Sequence, residues 1–263
     1  FSDLREFITL EEIEVKALCD IDQNVLNERA EDVAQLMEEK VKAGFKVVYK
    51  KPDLYGDYRK LLEDKEIDAI IIGTPDHWHT LIAIDAMDAG KHIYVEKPMA
   101  NSIYENILME KAANKYNKVV QVGQWQRSDQ HWKDAMDFVH SGVLGQIRLV
   151  KVWAYMNWFR VKPQPDGPVP DGVDYDFWLG PARKRPFNPN RFHFNFRWFW
   201  DYSGGQMTNW GAHHIDIAHW GMDAELTGPV SIEGKAEFPK AGLWHVHGPY
   251  HIEMSYANGY SEG

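Results

Sequence analysis

The chain has 263 residues, of which 44% are hydrophobic and 13% aromatic, a formal net charge of −10 and a single cysteine. That length and apolar content are enough to bury a core and point to two domains. The acidic balance argues against a nucleic-acid partner, which needs clustered Lys and Arg, and no apolar run reaches the ~20 residues of a membrane span. The lone Cys19 leaves no internal disulfide and no cysteine-based zinc site.

In chain order, Glu14-Val15-Lys16-Ala17-Leu18-Cys19-Asp20 reads as a buried strand ending in an acid, ahead of a helix from Gln23 to Gly44. Asp20 has two readings. It caps that helix, or, in a dinucleotide-binding fold, it accepts hydrogen bonds from the adenosine ribose hydroxyls and so favours NAD over NADP. Lys46 to Tyr49 reads as a further strand and Asp57 to Lys65 as a helix. Ile67 to Gly73 is a short β-branched run, as in a strand buried on both faces of a parallel sheet. A polar turn, Thr74-Pro75-Asp76-His77-Trp78-His79, leads to a helix over Leu81 to Ala89, a stop at Gly90 and the strand His92-Ile93-Tyr94-Val95.

Such a β-α-β unit has a right-handed crossover, and its strand ends open on the ligand side of the sheet. Glu96-Lys97-Pro98 is therefore expected to face a crevice, although a Lys after a strand is by itself more often solvated. A helix over Tyr104 to Tyr116 and a strand over Val119 to Gly123 complete a first domain, with the boundary at 1–122 and 123–263. No G-x-G-x-x-G occurs, and its place in this order precedes Phe1. The expectation is a chain truncated at both ends, beginning without Met and stopping at Ser261-Glu262-Gly263 in an unfinished strand. A lost export signal leaves the compartment open, cytoplasmic by default with the periplasm as the alternative.

Past the boundary, His131 to His140 reads as an amphipathic helix, Ile147 to Trp153 as an alternating strand, and Lys162 to Asp174 as a loop rich in Pro, Gly and Asp. Aromatics crowd Phe192 to Trp200. Ring faces interleaved with polar groups suit the flat faces and hydroxyl rims of sugars, and suit an inter-sheet core equally. A helix beginning after Gly204-Gly205 would put Asn209, His213 and Asp216 on one stripe. A His there is either a proton relay for a hydroxyl or a hydrogen-bonded core residue. A metal is not expected, because the adjacent His213 and His214 diverge by ~100° on a helix and no H-E-x-x-H spacing exists.

Three segments, Gly73 to His79, Gly90 to Pro98 and Gly205 to Asp216, together resemble the Gfo/Idh/MocA oxidoreductases, the family of glucose-fructose oxidoreductase and inositol dehydrogenase. The resemblance implies an α/β fold: an N-terminal Rossmann domain, here lacking its first strand and Gly-rich loop, and a C-terminal α/β domain with a large open, mostly antiparallel sheet. That sheet often serves in oligomerisation, which implies a homodimer or homotetramer. The implied activity is hydride transfer between a hydroxyl carbon of a sugar, polyol or glycoside and the nicotinamide of NAD, with NADP less favoured. By the same resemblance Lys97 stands beside the substrate hydroxyl and the nicotinamide, and Glu96 near the nicotinamide ribose. Thr74, Pro75, His77 and His79 line the dinucleotide, and Gln124 and Arg127 sit near nicotinamide and substrate; apart from the resemblance, the aromatic Trp153 to Trp158 region, with Trp158 as a substrate contact, favours a glycoside or free sugar over a small acid. His213 matches the family's base.

One position departs from the pattern. Many members carry Asp four residues before that histidine, and this chain has Asn209. An amide supplies no negative charge to an imidazolium, so the pair should be weaker or use Asp201 or Asp216. Two other activities remain open: an NAD-dependent glycoside-cleaving enzyme or epimerase that oxidises the sugar transiently, and a non-catalytic dinucleotide-binding regulator.

Overall fold

The structure, a computed structural model, describes residues 2–10, 12–45, 49–154, 163–240 and 245–257. It contains two compact units: Phe1–Gly123 with Asp166–Phe187, and Gln124–Pro165 with Asn188–Gly263. Residues 166–187, which a division at 122/123 assigns to the second half, thus pack with the first.

The first unit alternates helix and strand: α1 (Ser2–Ile8), β1 (Ala17–Cys19), α2 (Gln23–Lys42), β2 (Asp53–Tyr55), α3 (Tyr58–Leu62), β3 (Ala69–Ile72), α4 (Asp76–Asp88), β4 (His92–Val95), α5 (Ile103–Tyr116) and β5 (Val120–Val122). Every strand pairing is parallel, β1 with β2 and β3-β4-β5 as a second sheet, which makes the unit Rossmann-like. Ile72, Val95 and Val122 are in register, so the strands of the second sheet end level with one another. Ile72 and Val95 pack under Ala83, Ala86 and Met87 of α4 and Met109 of α5. Local signals set the helix ends. The Asp22 carboxylate accepts from the Asn24 and Val25 amides at the start of α2, Ser102 caps α5, and Asn117 closes it at φ 51°.

Three expectations change here. Helix α4 begins at Asp76, so the supposed turn Asp76 to His79 is its buried first turn. Its polar side chains hide the start from an apolar pattern, while Pro75 marks it. The strand pairing with β1 is Asp53–Tyr55, just after Pro52, and Tyr49 is not in a strand; residues 46–48 lie outside the described residues. Helix α1 has no counterpart in the sequence reading. Its Ile8 packs with Val33 and Met37 of α2.

The second unit holds a 3-10 turn (Trp125–Ser128), α6 (Gln130–His140), a 3-10 segment (His193–Trp198), α8 (Gln206–Gly221), β6 (Ser231–Ala236) and β7 (Tyr250–Ser255); α7 (Tyr175–Leu179) belongs to the first unit. Strands β6 and β7 pair antiparallel from Ser231↔Ser255 to Ala236↔Tyr250. Of the large sheet the resemblance implies, the described residues carry this one pair. Residues Ile147 to Trp153 form no strand, and Leu149 and Trp153 are exposed; an alternating pattern becomes a strand only where a partner edge is offered. The aromatic block divides: Phe192, Phe196, Trp198 and Phe199 are buried, whereas Phe194 and Trp200 are exposed. No helix among the described residues is long and apolar enough to cross a membrane.

Candidate functional site

In the first unit the candidate residues gather at the carboxyl ends of the parallel strands. The ladder runs past β4, with the Glu96 amide donating to Ile72 O (2.9 Å) and the Gly123 amide to Val95 O (2.8 Å). Backbone hydrogen bonds therefore hold Lys97 one residue beyond a fixed point. The Lys97–Pro98 peptide is cis, and the Lys97 amide donates to Glu96 Oε2 at 3.1 Å. A Cβ at position 123 would lie 2.6 Å from Glu96 Oε1, so a side chain there would push that carboxyl group from its place. Burial, with the Asp3 carboxylate beside it, pushes the Glu96 pKa up to about 7.

The loop after β3 is braced by two histidines. The His79 ring, 1% exposed, sits between the Thr74 and Pro98 carbonyls, 2.8 Å from each, and ties the β3 and β4 loops together. His77 is buried with Nε2 3.1 Å from Trp178 O. Thr74 is exposed and Pro75 half-buried at the start of α4. Both histidines thus sit inside the protein, supporting the rim that Thr74 and Lys97 form. Asp20 follows β1, accepts from the Asp22 amide at 2.9 Å and lines a cleft of 1630 Å³.

In the second unit α8 carries Asn209, His213 and Asp216 as the spacing predicts. Two glycines permit its start. Gly205 has φ +70°, and a Cβ there would meet Val246 at 3.0 Å; the Gly204 amide donates to Thr208 Oγ1 at 3.1 Å. Asn209 is buried and His213 half-buried, with the Trp125 ring edge-on at 5.9 Å. Asp216 is taken up by Arg127, whose Nε and Nη2 donate to its two oxygens at 2.7 and 2.8 Å, while Nη1 reaches Glu225. These carboxylates, Asp216 first, hold the guanidinium pKa above its usual value. The Gln124 amide donates to Ala212 O at 3.3 Å. Gln124, Trp125 and Arg127 together grip the helix on either side of His213.

Residue reasoning missed this grip, because its partners lie 88 and 89 positions apart. It also missed Asp3 beside Glu96. Trp158 lies outside the described residues, and Asp201 is half-buried in the turn before α8. Among the described residues no group of three or more His, Cys, Asp or Glu could hold a metal ion.

Two family models match this chain: an oxidoreductase family NAD-binding Rossmann fold over residues 7–124 and an oxidoreductase family C-terminal alpha/beta domain over residues 120–261. The chain belongs to the Gfo/Idh/MocA oxidoreductase family. Among its curated relatives is the glycosyl hydrolase family 109 protein 1 of Shewanella sp. (strain ANA-3), 33% identical over 147 residues, which is 56% of this chain and 30% of that protein. The alpha-N-acetylgalactosaminidase of Shewanella oneidensis is 40% identical over 105 residues, 40% of this chain and 21% of that one. The matches thus span less than a third of these relatives' length. The WlbA dehydrogenase from Bordetella pertussis, solved with NADH and UDP-GlcNAcA, shares the fold with a TM-score of 0.60 at 18% identity, over 92% of this chain and 60% of its own.

This Gfo/Idh/MocA chain therefore has an NAD-binding Rossmann domain, and its residues fit that cofactor. Asp20 lines a cleft large enough for the nucleoside half. Thr74, Glu96 and Lys97 follow strands that end level at the ligand side, and position 123 is left without a side chain where Glu96 needs the space.

Proposed function

We propose that this oxidoreductase acts on a hydroxyl-bearing carbon of a sugar, polyol or glycoside, with NAD as the cofactor. The observation that carries the reading is Lys97, held by the β3-β4-β5 ladder at the carboxyl end of β4. Bound NAD supplies a hydride acceptor and donor at its nicotinamide. The residues supply the rest. The Lys97 ammonium donates to the hydroxyl oxygen and stabilises the alkoxide as the proton departs, and His213 accepts that proton on its imidazole. Asn209, one turn before His213, orients ring and substrate without adding charge, and Asp20 holds the adenosine ribose. Thr74, Pro75 and Glu96 line the dinucleotide from the strand ends, with His77 and His79 behind them. Residues 1–122 then serve mainly the cofactor and 123–263 the substrate and self-association.

A second reading is favoured by the relatives named as a glycosyl hydrolase family 109 protein and an alpha-N-acetylgalactosaminidase. Here oxidation is transient. The ketone at the oxidised carbon acidifies the neighbouring C–H, the aglycone leaves by elimination, water adds, and hydride returns to the same carbon. Redox balance closes with no net oxidant.

One experiment separates these readings: the full-length protein is offered a panel of sugars and glycosides with NAD well below substrate. One NADH per product supports net oxidation, and many products per NAD support the transient route. If no substrate reduces NAD or is cleaved, and Lys97→Ala changes nothing in any assay, the chain is a non-catalytic dinucleotide binder.

A further inference from the structure

Residues 166–187 form a strap across the Rossmann unit, anchored on both sides of the Asp20 cleft. At one anchor Val173 makes an antiparallel bridge with Asp22. The Gln23 amide donates to Gly172 O (2.9 Å) and the Asp174 amide to Ile21 O (3.0 Å), while Asn24 Nδ2 donates to Asp171 O at 3.0 Å. At the other anchor Trp78 Nε1 donates to Trp178 O at 2.9 Å. The Phe177 ring packs edge-on against Trp78 at 5.3 Å and stacks on Tyr58 at 6.1 Å. Gly180 then crosses the Trp78 ring at φ +47°, where a Cβ would lie 2.0 Å from the indole. Nothing larger than glycine fits there.

Between these anchors lies the 1630 Å³ cleft. One wall is the carboxyl end of β1 and β2, with Asp20, Tyr55 and Gly56; the other is the strap, with Val169 and Gly172 to Phe177. In an open α/β sheet the carboxyl end of the strands is the ligand side. Here chain from some 150 positions later covers it. Four cations line the cleft, Arg59, Lys60, Lys184 and Arg185; the first three pair with Asp57, Glu63 and Asp176.

We infer that the strap is the second wall of the adenosine end of the dinucleotide site and acts to retain the cofactor. This rests on the NAD-binding reading of Asp20. Adenosine lies in the open cleft between β1 and the strap, and contacts to the strap slow its release. A retained cofactor suits chemistry in which NAD is regenerated in place.

Amide hydrogen exchange in the full-length protein tests this with three probes: NAD, ADP-ribose and nicotinamide mononucleotide. ADP-ribose should protect residues 171–178 as fully as NAD does, and nicotinamide mononucleotide should leave them unchanged. Asn24→Ala, an exposed change remote from the reacting groups, removes one anchor bond and should speed ADP-ribose and NAD release about fivefold, the factor for one modest hydrogen bond. NAD binding with unaltered exchange at 171–178, or equal release from Asn24→Ala, overturns the strap while leaving NAD binding intact. No binding of NAD or ADP-ribose overturns both.

Discussion

The two candidate catalytic residues are held by different kinds of structure. Lys97 follows a strand whose neighbours on both sides pair with it in register, so its place is set by backbone hydrogen bonds that many sequences make equally well. His213 lies on a helix gripped through side chains, by Arg127 on Asp216, Gln124 on the Ala212 carbonyl and Trp125 against the imidazole itself. The first position is therefore robust to side-chain change around it and sensitive to backbone crowding, whereas the second depends on a few named partners.

The largest effect that sharpens this contrast is His213→Ala, for which turnover should fall ~10²–10⁴-fold, the range for a lost proton relay, with NAD affinity unchanged in a fluorescence titration. Next is Arg127→Met, which strands Asp216 and Glu225. The bridge is about one-third exposed (Arg127 side chain 32%), so its stability cost should be only ~1–2 kcal/mol after solvent screening. Turnover should nevertheless fall by about tenfold or more with KM retained, and Arg127→Lys should restore part of it. A stability loss with normal turnover would break the claim that this grip positions the base.

Gly123→Ala attacks the other side of the comparison. Its Cβ would collide with the Glu96 carboxyl, and the overpacking should cost ~1–3 kcal/mol in chemical denaturation. A neutral effect would show that the strand ends yield more easily than the ladder implies.

How much of this was legible in the sequence follows the same division. β4 occupies His92–Val95 as expected, since a short apolar run between Gly90 and a charged pair allows little else. Helix α8 starts at Gln206 because the preceding glycine pair ends any other element. The polar first turn of α4 was misread, its His77 and His79 being buried by carbonyl partners that no local pattern announces. β2 is three residues long after a proline, too short to show a period. The grip on α8 and the course of the strap both join residues far apart in the chain, and a Pro- and Gly-rich loop does not record which unit it packs on. The site was therefore readable where backbone pattern places a residue and unreadable where distant side chains do.

The smallest effect concerns pH. Glu96 has a folded pKa raised to about 7 by burial and by Asp3, so the folded state holds its proton more tightly than the unfolded state. The stability this provides is complete below the unfolded pKa of ~4.3 and is lost as pH rises through the folded value. Glu96→Gln should flatten the decline in melting temperature between about pH 4.5 and 7. An unchanged profile would show that the carboxyl is not held neutral.

The central claim is that Lys97 acts on the reacting hydroxyl and not only on the fold. The most direct measurement is the single-turnover appearance of NADH absorbance for wild type and Lys97→Ala, with bound NAD confirmed in each sample and a substrate drawn from the sugar and glycoside panel. Lys97→Ala should bind NAD normally and form NADH ~10²–10³-fold more slowly. Equal rates in the two proteins, with NAD bound in both, would contradict it.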